Sequence, residues 1–150
     1  MRELAAGHGL QLRAVEAGIG FWPGGAEPTA RLALTADPDA ARGLARAIAA
    51  EFDQDAVQLV WPAPLPGTSG AGPVADGVQV RYTTGELATA EVLHRLAGST
   101  VPGGSLLGGD LVVDVPADDA ARVHGELSGW LALVGWTRCA TERVGAGSAR

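Results

Sequence analysis

The chain has 150 residues, 47% of them hydrophobic, and a formal net charge of −6. This length and hydrophobic content predict one globular domain with a packed core. The negative charge argues against nucleic acid and membrane surfaces as partners, because phosphate backbones and anionic lipids are negative too. We expect residues 1–144 to form a single domain and residues 145–150 a disordered tail.

The basic and sulfur-containing residues limit the chemistry further. All eleven basic residues are arginine, which excludes reactions that need a lysine, such as Schiff-base formation. The single cysteine, Cys139, has no internal disulfide partner, and its place on an alternating strand predicts a buried thiol. We find no signal-peptide core or membrane-spanning stretch and expect a cytoplasmic protein. The composition, rich in Ala, Gly and Arg, is typical of GC-rich bacterial genes.

The pattern of apolar residues predicts alternating strands and helices. Strands are expected at residues 10–21, 29–36, 56–61, 78–82, 111–115 and 136–143. Helical spacing is found over residues 37–52, 83–97 and 116–134. Asp37 and Pro38 form a clear helix start, because Asp can accept from the first free amides and Pro has no amide to leave unpaired. In this helix we expect Leu44, Ile48 and Phe52 to be buried.

The element order predicts the fold class. From residue 29 to residue 115 the order is strand-helix-strand-strand-helix-strand, which is the order of a ferredoxin-like fold. We therefore predict an α+β two-layer sandwich with a ferredoxin-like βαββαβ core. An extra N-terminal hairpin strand and a C-terminal helix and strand would be added to this core.

This topology makes a prediction about charged residues. It would place strand 111–115 beside strand 29–36, with their polar residues on the face opposite the core. We therefore expect Asp110 and Asp114 to contact Arg31, with Arg81 one strand further away.

The aromatic residues give a second set of candidates. Phe21 and Trp22 lie at the predicted hairpin tip, and core packing is the simplest interpretation of the other tryptophans: Trp61, Trp130 and Trp136. Trp22, beside Pro and Gly, is the best candidate for an exposed anchor at an interface or pocket mouth. The candidate binding or interface residues are Phe21, Trp22, Trp61, Arg31, Arg81, Asp110 and Asp114.

Several other motifs have simple structural interpretations. The glycine-rich segment 98–109 lacks the Gly-Lys-Ser/Thr ending of a phosphate-binding loop and precedes a strand, so a connecting loop is the favoured interpretation. Residues 62–77, rich in proline and glycine, predict a second surface loop. The histidines do not pair at helical spacing, and we expect no metal ion and no cofactor.

No motif assigns an enzyme. The favoured hypothesis is a non-catalytic binding or protein-interaction module that associates with itself through a sheet face or edge, or with a basic protein partner. The alternative is a small acid–base enzyme in which His94 or His124 works with a carboxylate such as Glu91, Asp110 or Asp114 in a cleft. RNA binding on an open sheet is disfavoured, because the strands lack stacking aromatics and the charge has the wrong sign.

Overall fold

The computed structural model describes residues 1–22, 25–62, 74–84 and 103–147. Their seven strands form one antiparallel sheet. In chain order the strands are β1 (Gln11–Trp22), β2 (Gly25–Thr35), β3 (Ala56–Trp61), β4 (Ala75–Thr83), β5 (Gly104–Leu107), β6 (Asp110–Pro116) and β7 (Ala132–Gly145). The described ranges also contain the helices α1 (Arg2–Gly7), α2 (Pro38–Glu51) and α3 (Ala120–Leu127), and a 3-10 turn at Ala117–Asp119.

The sheet order contradicts the ferredoxin-like α+β sandwich. The order is β2-β1-β5-β6-β4-β7-β3, so β2 is an edge strand that pairs with β1 and lies beside neither β6 nor β4. Two errors of assignment caused this. β5 lies inside the glycine-rich segment predicted to be a loop, and β7 begins at Ala132, inside the segment predicted to be a helix. These two strands separate elements that the predicted fold would have paired.

The sheet curls into a half-barrel, and a side-chain contact shows which face is concave. Arg31 on β2 donates a hydrogen bond from Nη2 to Oε1 of Gln79 on β4. These strands are four steps apart in the sheet order, which in a flat sheet would separate them by about 19 Å. An arginine and a glutamine are too short to meet across that distance. The face that carries Arg31 and Gln79 is therefore the inside of the curl.

The convex face at the centre of the sheet is covered by α3. The main core joins the central strands to this helix and consists of Phe21, Val78, Val80, Tyr82, Leu106, Leu111, Val113, Val115, Val123, Leu127 and Leu131. Alternate residues of β4 and β6 enter this core, and the residues between them therefore lie on the concave face. The predicted helix 116–134 is too long, since α3 ends at Leu127 and Leu131 reaches the core from the turn that follows.

The second helix, α2, begins where the sequence predicts. The Asp37 side chain accepts hydrogen bonds from the backbone amides of Asp39 and Ala40, both at 3.0 Å. Leu44 and Ile48 are buried in a second cluster, together with Ala5 of α1. Leu10, which precedes β1, packs against it, as do Leu12 of β1, Leu32 and Leu34 of β2, and Val57 of β3. Because β2 and β3 are the two edges of the sheet, α2 bridges its open side.

Some predictions fail or lie outside the described residues. Phe52, expected in the core, is 49% exposed, because α2 ends at Glu51 and the chain turns away there. The predicted helix 83–97 lies almost entirely in residues 85–102, and most of the loop 62–77 in residues 63–73, which are outside the described residues. Within the described ranges, no helix has the length and apolar character needed to cross a bilayer.

Candidate functional site on the concave face

Strand pairing collects charged residues on the inside of the curl. The register places Glu16 opposite Arg31 between β1 and β2, and Gln79 opposite Asp114 between β4 and β6. Residues directly opposite each other in an antiparallel pair point to the same face, as do residues two positions apart in one strand. The group that we call the concave charged face therefore consists of Glu16, Arg31, Gln79, Arg81, Asp110 and Asp114.

Gln79 joins two of these charged groups. Its Nε2 donates to Oδ1 of Asp114 at 2.8 Å, and its Oε1 accepts from Nη2 of Arg31. An amide suits this position because it can donate and accept at the same time. The chain of contacts runs from the edge strand β2 to the central strands β4 and β6, and so links the two sides of the curl.

Arg81 lies between two carboxylates. Its Nη2 is 3.5 Å from Oε2 of Glu16, and its Nε is 3.6 Å from Oδ2 of Asp110. The side chains are partly exposed, at 37% for Arg81, 43% for Glu16 and 31% for Asp110. Water competes for such groups, and each pair contributes about 0–1 kcal/mol to stability. The two carboxylates can therefore accept further hydrogen bonds from a bound group.

The structure brings together the four charged residues that the sequence singled out. Arg31, Arg81, Asp110 and Asp114 share one face, as the alternation along each strand indicated. Their contacts differ from those expected, since Arg31 reaches Asp114 through Gln79 and Asp110 pairs with Arg81. The expected direct contact between the Asp residues and Arg31 required β2 and β6 to be neighbours, which they are not.

Of the three aromatic candidates, the register places Trp22 on the same face as Glu16, at the end of β1, and places Phe21 and Trp61 on the opposite face. Phe21 is 4% exposed and belongs to the main core. Trp22 is 40% exposed at the end of β1. Trp61 ends β3, and its buried Nε1 has no hydrogen-bond partner among the described residues.

Glu16 is the functional candidate that the sequence reasoning missed. A signal for it was present, because it is the single acidic residue in the predicted strand 10–21. Its face could not be read from that strand, because a bulge between Leu12 and Ala14 shifts the register. One extra residue moves every following side chain to the opposite face.

His124, a candidate of the alternative hypothesis, lies on the opposite side of the sheet from Asp110 and Asp114. It lies on α3, where its Nδ1 is 3.4 Å from the hydroxyl of Tyr82 and the two rings stack with centroids 6.2 Å apart. Burial raises the pKa of Tyr82 above its ordinary value. Asp110 and Asp114 are on the other face of the sheet, so the structure does not bring either of them to His124. The other two residues of that hypothesis are outside the described residues: His94 and Glu91.

The reactivity of the Cys139 thiol tests whether this residue of β7 is buried in solution. It is 1% exposed, and desolvation, followed by the negative charges of Asp114 and Asp76, raises the pKa of its thiol. We expect a thiol-specific disulfide reagent to react with the native protein about 100-fold more slowly than with the unfolded chain at pH 8. The rate should rise along the urea unfolding curve. Equal rates in the native and unfolded chains would show that the thiol is accessible.

Comparison with other proteins adds no further assignment. No protein family, curated protein or solved structure matches the chain. Within the described ranges, no three residues of the types His, Cys, Asp and Glu are grouped so that they could hold a metal ion. The concave charged face is therefore the feature on which a function can be argued.

Proposed function

We propose that the protein is a non-catalytic binding module that receives a basic segment of a partner protein on its concave charged face. The charge balance of this face carries the proposal. At the regularly paired positions of the seven strands, the register places three guanidinium groups on the concave side, those of Arg31, Arg81 and Arg143, and four carboxylates: Glu16, Glu27, Asp110 and Asp114. A ligand that complements this face supplies positive charge and hydrogen-bond donors.

The hydrogen-bonding state of these residues supports the same ligand class. The two guanidiniums that belong to the concave charged face are already engaged, Arg31 by Gln79 and Arg81 by two carboxylates. A carboxylate can accept about four hydrogen bonds, whereas Asp114 receives one from Gln79. Acceptor capacity is therefore in excess on this face. An anionic ligand would meet arginines that are occupied and carboxylates that repel it.

The charge of the whole chain favours such a partner as well. A net charge of −6 attracts a basic protein over several ångströms and repels acidic ones. A cation placed about 4 Å from a carboxylate gains about 1 kcal/mol in water and about 4 kcal/mol in a partly desolvated site. Several contacts of this kind are needed for stable binding. An extended basic segment provides them better than a single ammonium group.

Isothermal titration calorimetry with two synthetic peptides tests the proposal. We expect a hexa-arginine peptide to bind, with an affinity that falls as salt is added, and a hexa-glutamate peptide not to bind. The double variant Glu16→Gln/Asp110→Asn should bind hexa-arginine about tenfold more weakly. Its thermal unfolding should stay cooperative, because the ion pairs that it removes are partly exposed.

The matched control removes the same two charges from the opposite side of the sheet. Asp119 and Glu126 both contact Arg122 on the exposed surface of α3. The variant Asp119→Asn/Glu126→Gln has the same net charge as the site variant and should keep the wild-type affinity. If both variants lost the same affinity for hexa-arginine, the overall charge of the protein, and not the concave charged face, would explain the binding. Absence of hexa-arginine binding to the wild-type protein would refute the proposal.

A further inference from the structure

Trp22 lies on the concave side of the sheet, at the rim where β1 meets β2. Its register partner is Gly25, and Glu27 lies two positions further along β2 on the same face. A Cβ atom on Gly25 would be 3.6 Å from Cζ2 of the Trp22 indole, so the ring lies over β2, on the side of Glu27. Diagonal neighbours of this kind have Cα atoms about 7–8 Å apart, within reach of aromatic and long side chains. One ligand group can therefore contact both residues.

Both side chains are available to a ligand. Trp22 is 40% exposed. Glu27 is exposed too, and within the described ranges its carboxylate forms no hydrogen bond or ion pair. The three carboxylates of the concave charged face, in contrast, each contact an arginine or a glutamine. An indole face and a carboxylate without a counter-charge both attract a cation.

We propose that Trp22 and Glu27 together bind the guanidinium group of one arginine in the basic segment of the partner protein. This site rests on the proposed function, because the arginine belongs to the segment that the concave charged face receives. A guanidinium is flat and weakly hydrated, so it can stack on the indole while its N–H groups donate to the carboxylate. A lysine ammonium is compact and strongly hydrated, and it makes these two contacts less well. The site therefore selects arginine over lysine.

Glycines connect this site to the concave charged face. Along β1, the positions between Trp22 and Glu16 on the concave side are Gly20 and Gly18, so no side chain of β1 stands between the two. The six positions from Glu16 to Trp22 span about 20 Å, which is also the length of about six extended residues. A hexapeptide can therefore reach Glu16 while its terminal arginine lies at Trp22.

Calorimetry with hexa-arginine and hexa-lysine, which carry the same charge, tests the selectivity. We expect the wild-type protein to bind hexa-arginine at least about fivefold more tightly than hexa-lysine. Trp22→Leu should bind hexa-arginine about fivefold more weakly than the wild-type protein, while its affinity for hexa-lysine changes by less than about twofold. Trp136→Leu is the matched control, because Trp136 is also exposed but pairs with Val80 of the main core and so lies on the convex face. It should keep the wild-type affinity for both peptides.

The variants Glu27→Gln and Trp22→Leu/Glu27→Gln show whether one guanidinium contacts both residues. If it does, the losses of hexa-arginine affinity are not additive, and Trp22→Leu costs less than about twofold once position 27 is neutral. Three outcomes overturn the arginine site and leave the proposed function intact: equal wild-type affinities for the two peptides, an equal loss of both in Trp22→Leu, or additive losses. Absence of binding to either peptide refutes both proposals.

Discussion

Replacement of Gly18 by alanine is expected to destabilise the protein by about 3 kcal/mol. A Cβ atom at this position would collide with the backbone carbonyl oxygen of Leu106 on β5 and would lie 3.0 Å from Cδ2 of Leu107. Backbone atoms cannot rotate away as a side chain can, so β1 must move off β5. Four register pairs join these two strands, and one of them contains Gly18. The midpoint of urea unfolding should fall accordingly.

The control is the same substitution at Gly125 in α3. A Cβ there has no neighbour within 4 Å among the described residues, and alanine favours a helix over glycine by about 0.5–1 kcal/mol. Gly125→Ala should therefore raise the unfolding midpoint, while Gly18→Ala lowers it. If both substitutions shifted the unfolding midpoint in the same direction, the close approach of β1 and β5 would not explain the role of Gly18. Because β1 carries Glu16, Gly18→Ala should also weaken hexa-arginine binding.

Replacement of Arg42 by methionine is expected to cost about 2–4 kcal/mol of stability. Nε of Arg42 donates to both carboxylate oxygens of Glu142 on β7 at 2.9 Å, and Nη1 donates to Asp39 at 3.0 Å. The Arg42 and Glu142 side chains are only 8% and 13% exposed. Loss of the guanidinium leaves the Glu142 carboxylate with little water and no counter-charge. Chemical denaturation of the single variant measures the loss.

The double variant Arg42→Met/Glu142→Met distinguishes an ion pair from simple packing. Two apolar side chains need no counter-charge, so the double variant should recover most of the stability lost in the single variant. Additive losses would contradict this explanation.

The hydrogen bond from Arg42 to Glu142, opposed by desolvation, raises the pKa of Arg42 above its ordinary value. The guanidinium therefore stays charged at every pH below the strongly alkaline range in which arginine titrates in the unfolded chain, so its contribution should persist from pH 6 to pH 9 and disappear only in strong alkali.

Local patterns predicted the elements well where one signal dominated. Asp37 caps α2 as its position before a proline indicated, and β3 has the predicted bounds. The glycine-rich segment 98–109 was predicted to be a loop, but part of it is β5 and its glycine at position 104 serves strand packing. A Cβ on Gly104 would lie 2.7 Å from Cζ of Phe21, so this glycine allows β5 to approach β1 closely. A composition typical of a loop is in this case required by strand packing.

The start of β7 shows a second limit of local patterns. Leu127, Leu131 and Val134 recur at helical spacing, and a short apolar run fits a buried helix as well as a strand. Leu131 does reach the core, but from a turn. Residues 132–141 are extended because they pair with β4, and the residues of β4 are far from them in the sequence.

The concave charged face was predictable only in part, because it depends on one local pattern and on one that is not local. Alternation along a strand is local, and it correctly grouped Arg31, Arg81, Asp110 and Asp114 on one face. Strand order is not local, and the contact between Arg31 and Gln79 depends on both order and curvature. No pattern within one strand contains that information.

The junction between β1 and β5 has a consequence for how the chain folds. The β1–β2 hairpin turns between Trp22 and Gly25, and such a hairpin forms in about 1–10 μs. Pairing of Gly18 with Leu107 must close a loop of about 90 residues, which carries a larger entropic cost and slows folding. The curl of the sheet should therefore close late, after its separate parts have formed. Recognition of a basic partner would then depend on this final step, and a chain arrested before it would have native strands but no concave face.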